Sequence, residues 1–121
     1  MLDTTKLVLD ILSDALDVHV TTKMPKDVAH PDPQRMVLVD LEGDQSTPFL
    51  LLPRYGLTCW GLTDRDAHGI AVAAVCALQD AALDHPYLSA CDLESMSRDE
   101  WSRSGQSRYL ATVDLTINTD E

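Results

Sequence analysis

The chain has 121 residues, a length suited to one domain over residues 1–121 that buries roughly two thirds of its unfolded surface. Its 20 acidic side chains against 9 lysines and arginines give a formal net charge of −11, with no basic run. A surface of that sign repels phosphates and excludes conventional DNA recognition through counterion release, and no stretch approaches the ~20 apolar residues a bilayer span needs.

At the start, Asp3 and Asp10 flank Leu7, Val8 and Leu9, where a secretory leader would need a basic opening and a longer apolar run. A cytosolic location is the expectation. Leu7, Val8, Ile11, Leu12, Ala15 and Leu16 recur at three-and-four spacing, which predicts a helix over 3–16 with one buried face. Asp3, Thr4 or Thr5 supplies the oxygen that caps it. Residues 17–22 alternate and are rich in β-branched side chains, the pattern of a short strand.

Pro25, Pro31 and Pro33 then enforce a loop. Met36 to Leu41 reads as a strand buried on both faces, ended by the turn chemistry of Glu42, Gly43 and Asp44. Residues 55–60 predict another strand, with Pro53 marking a bulge or an edge. Thr63 and Asp66 have the spacing of a capping box, opening a helix whose stripe is Ala67, Ile70, Ala71, Ala74, Val75, Leu78 and Ala82 and which ends near Asp84. Residues 88–106 predict either a strand around 91–96 or irregular structure, followed by a polar loop carrying Trp101. Tyr109, Ala111, Val113, Leu115 and Ile117 alternate with polar residues in a long closing strand. The expected fold is α+β: a mixed or antiparallel β-sheet of about four to five strands with two helices packed on one face.

Catalytic patterns are weak. Pro31, Asp32, Asp40 and Glu42 loosely match a metal-dependent nuclease, but Glu42 stands where such a site needs a lysine. His19, His30, His68 and His85 are scattered, no serine sits in a nucleophile elbow, and no glycine-rich phosphate loop is present. The expectation is no enzyme, no metal and no cofactor. Cys59, Cys76 and Cys91 are expected to be reduced, with packing accounting for Cys59 and Cys76. Trp101, set among Arg98, Arg103 and Arg108, marks a candidate protein interface.

The order of these elements resembles the tail terminator, or tail completion, proteins of long-tailed bacteriophages. The resemblance rests on Met36 to Gly43, on Trp60 to Ala67, and on Arg108-Tyr109 leading into Thr112-Val113. Where that family usually has Pro-Asp, a small residue and Gly before the last strand, this chain has Arg103-Ser104-Gly105-Gln106. The resemblance implies a structural virion protein: a homo-hexameric ring that caps the completed tail tube, ends its polymerisation and joins the head–tail connector protein. It also implies tail tube protein as a partner, assembly in the host cytoplasm and residence in the mature tail. DNA would pass through the ring without specific binding, with Asp40, Glu42, Asp44 and Asp114 as candidates to face the channel. The alternative is a small acidic inhibitor or immunity-type module that neutralises a basic enzyme.

Overall fold

The protein is described by a computed structural model, in which residues 3–23, 35–48, 50–98 and 107–118 are described. Helix α1 spans Thr4–Ala15 and is capped by Asp3, whose Oδ1 accepts from the Lys6 amide at 3.1 Å. Leu7, Val8 and Leu12 form its buried face, while Ala15, expected on the same stripe, is exposed at the last turn. Thr4 and Thr5 do not cap. Their hydroxyls lie 2.7 and 2.9 Å from the Tyr55 hydroxyl and tie the helix to the sheet.

Strands β1 (His19–Thr21), β2 (Met36–Asp44), β3 (Leu50–Leu51) and β4 (Pro53–Gly61) precede α2 (Asp64–Ala81), and β5 (Leu88–Arg98) and β6 (Ser107–Asn118) follow it. β2 and β6 flank β4, and β5 pairs with the other side of β6. β3 and β4 pair with β6 in one continuous register, so they behave as one strand interrupted at Leu52, next to the proline that lacks an amide donor. The sheet is therefore mixed: β1 runs parallel to β2, and every other pairing is antiparallel. Residues 88–98, ambiguous in sequence, form an 11-residue strand.

Bulges give β5 its irregular alternation. Its register against β6 slips between Leu88 and Ala90 and again between Leu93 and Ser95, so its inward residues do not keep a strict period of two. A third slip lies between Leu41 and Gly43 in β2. Such insertions bend strands, and the sheet curls as a half-barrel about the two helices.

The main core lies between the helices and one sheet face, where Val37, Val39, Tyr55, Leu57, Val113, Leu115 and Ile117 meet the inner stripes of α1 and α2. Thr63 caps α2 by accepting from the Asp66 amide at 3.0 Å, and Asp66 reaches back to the Leu62 amide at 2.9 Å. The predicted stripe from Ala67 to Leu78 is buried. Cys76, expected to pack, is exposed, because it falls off that stripe on the outer side of the helix.

Candidate functional site

The sheet face turned away from the helices carries the predicted acidic residues. Val39 points into the core, so Asp40 points outward and is exposed. Glu42 is the extra residue of the β2 bulge, and its side chain folds over Gly56 on β4, occupying the space a β-carbon there would need. Asp114 stands opposite Arg54 in the β4–β6 register and accepts from its Nε at 2.7 Å and its Nη2 at 3.0 Å. The Glu94 carboxylate approaches the same guanidinium to 3.8 Å, and Asp92 stands directly opposite Asp114.

Electrostatics follow from this crowding. The hydrogen bonds from Arg54 hold the Asp114 carboxyl below the usual carboxylate range. In return Asp114, then Glu94 and Glu42, raise Arg54 above its ordinary value. Asp44 differs from the other three candidates. Its Oδ1 accepts from the Ser46 amide at 2.8 Å and from the Ser46 hydroxyl, and so closes the turn after β2. Glu42, Asp44, Arg54 and Asp114 nevertheless line one open groove of about 380 Å³. Arg54, Asp92 and Glu94 were not anticipated, because only the strand register shows that they converge on Asp114.

Of the predicted interface residues, Trp101 and Arg103 lie outside the described residues. Arg98 and Arg108 are separated by the sheet. Arg98 ends β5 on the helix side, where its Nε lies 3.3 Å from an Asp64 oxygen in the first turn of α2. Arg108 lies on the opposite face, with its guanidinium carbon 5.4 Å from the centre of the Trp60 ring. Trp60 joins Met36 and Leu38 in a second buried apolar cluster.

The nuclease pattern divides in the same way: Pro31 and Asp32 lie outside the described residues, while Asp40 and Glu42 belong to the acidic face. Among the described residues no group of three or more His, Cys, Asp or Glu side chains is placed to hold a metal ion. His68 packs at a tilt against Tyr109, with ring centres 5.0 Å apart, and His85 accepts through Nδ1 from the amides of Tyr87 and Leu88. Burial pushes the Cys59 and Cys91 thiols up to about 12, so both stay protonated at neutral pH. Among the described residues no helix is long and apolar enough to cross a membrane. No protein-family model matches the chain, and no curated protein matches it.

Proposed function

We propose that this chain is a ring-forming structural subunit of the tail-terminator type, which caps a phage tail tube and presents a surface to the head connector. The carrying observation is the open sheet face, where Glu42, Glu94 and Asp114 gather around Arg54, with Asp92 opposite Asp114 and Asp40 exposed on the neighbouring strand. A face of this kind lining a ring would repel phosphate and let DNA pass without adhesion. The order of elements and the motifs at Trp60 to Ala67 and Arg108-Tyr109 support the same reading. In it, the chain forms a hexamer, meets tail tube and connector proteins, assembles in the host cytoplasm and ends in the virion tail.

The test is light scattering across protein concentration, with and without assembled tail tubes, and electron microscopy of the tube ends. A hexamer, or a monomer converted to a ring at the tube end, is the expected outcome; a strict monomer that ignores tubes overturns the reading. The compact carboxylate cluster also favours a second reading, an acidic module that neutralises a basic enzyme. That module would remain monomeric and bind a cationic protein with strong salt dependence.

A further inference from the structure

Three features of α2 and its closing turn face solvent. Gly69 lies in the helix interior, where glycine is unfavourable, yet a β-carbon there would meet nothing within 4 Å. Leu83, in the turn that closes the helix, is 84% exposed. Asp80 and Asp84 flank it at the negative end of the helix dipole, with no basic residue in the last turn and no ion pair to either among the described residues.

The first feature opens onto a cleft of about 450 Å³ near the start of α2, between that helix and the end of α1. Leu16, Val18, Ile70 and Ala73 supply its apolar lining, and Gly69 leaves it open. Arg35 and Arg65 also line it. Arg35 is fixed there by two hydrogen bonds to Asp66, at 3.0 and 3.2 Å, whereas Arg65 is exposed and has no ion pair among the described residues. Arg35 and Arg65 balance Asp17 and Asp66 here. By contrast, carboxylates outnumber cations in the groove beside Arg54 and in the one lined by Asp3, Asp10 and Asp14. An acidic turn therefore meets least repulsion at this cleft.

We propose that the closing turn of α2 in one copy docks into this cleft on a second copy, seating Leu83 on the apolar lining with Asp80 and Asp84 facing Arg65 and Arg35. Arg65, with no ion pair among the described residues, is the cation the cleft offers to the carboxylates of the turn, and both halves belong to this chain. They lie toward opposite ends of a helix about 27 Å long, so the contact is head-to-tail and can close into a ring. The turn is held ready for docking: the amides of Leu83, Asp84 and His85 bond back to the helix, and His85 Nδ1 holds the next two amides. The proposal deepens the ring reading and rests on it for the closure of the contact.

The test compares sedimentation or light scattering of the full chain with Leu83→Ser, Gly69→Leu and Arg65→Glu variants. All three substitutions are at exposed positions, so unchanged far-UV circular dichroism serves as the folding control. Each is expected to weaken self-association about tenfold or more, and adding Asp80→Arg to Arg65→Glu is expected to restore part of the loss. In a Cys76→Ser background, Gly69→Cys with Leu83→Cys is expected to oxidise to an intermolecular ladder that neither single cysteine gives. Wild-type-like assembly by Leu83→Ser and Gly69→Leu overturns the proposal, as does a chain that stays monomeric to roughly 1 mM and forms no ladder. An oligomer that needs these residues but ignores tail tubes keeps the contact and removes the terminator reading. Tube capping that survives the substitutions removes the contact and keeps that reading.

Discussion

Strand β4 crosses the open face of the sheet from Arg54 to Trp60, and its two ends have opposite characters. At the Trp60 end the neighbours are Met36, Leu38 and Arg108, and the indole is 1% exposed. At the Arg54 end they are Glu42, Glu94 and Asp114, and the guanidinium is open to water. Residues 54, 56, 58 and 60 share one face by strand alternation. What differs is the set of residues that β2 and β6 bring opposite them. One end is organised for packing and the other for charge, so stability is expected to depend on the first and electrostatic behaviour on the second.

Truncating Trp60 to Ala is the strongest way to break that division. It removes a large buried ring, and a loss of about 3–5 kcal/mol is expected in urea unfolding. The glycines sharpen the comparison. A β-carbon on Gly61 would collide with the backbone of Asp66 and Ala67 at the start of α2, which cannot rotate aside. Gly61→Ala is expected to cost about 1–3 kcal/mol. On Gly56 the obstacle is only the exposed Glu42 side chain, and Gly56→Ala is expected to stay within about 0.5 kcal/mol in the same measurement. Equal losses for the two glycines would defeat the contrast.

Titration separates the regions as well. The buried Cys59 and Cys91 hold their protons to about 12, whereas thiols of the unfolded chain ionise near about 8.5. The unfolded state therefore binds fewer protons above that point, and stability is expected to fall as pH rises from about 8.5 toward 12. Cys59→Ala with Cys91→Ala would flatten that slope. At neutral pH only Cys76 is expected to react readily with an alkylating agent.

Asp114 and Asp66 have the opposite sign. Asp114 is depressed by Arg54, and Asp66 by the Leu62 amide and Arg35, so each stabilises the fold above the free carboxylate value of about 3.9. That stability is lost as pH falls below about 4 through the depressed values. Both groups are partly solvated, so the effect is expected to be modest, and Asp114→Asn should reduce the slope of an acid titration of stability. The smallest expected effect is that of Arg54→Ala. Melting temperature is expected to drop slightly at low salt, where the facing carboxylates repel one another, and to recover at high salt. A loss independent of salt would mean that Arg54 serves packing instead.

Much of the fold was legible because it is local. The Asp3 cap, the Thr63–Asp66 box and the α2 stripe depend on residues three or four apart. Of the run from Met36 to Leu41, expected to be buried on both faces, Met36 to Val39 is buried, whereas Asp40 and Leu41 are exposed and the strand runs on through a bulge to Asp44. The candidate site was legible only in part. Asp40, Glu42 and Asp114 share a face, but Asp44 closes a turn and Arg98 pairs with Asp64 on the helix side of the sheet. Trp101 and Arg103 lie outside the described residues.

The sequence by itself determined where the helices start and which of their faces are buried, because 3.6-residue spacing and capping act over a single turn. It also determined the acidity of the surface and the long alternation of β6. Only the tertiary structure decided that β1 runs parallel to β2, that β3 and β4 form one interrupted strand, and that Arg54 lies among Glu42, Glu94 and Asp114. Each of these depends on register between segments tens of residues apart. The bulges at Glu42 and Glu94 shift that register by one residue, and a one-residue shift exchanges the two faces of a strand.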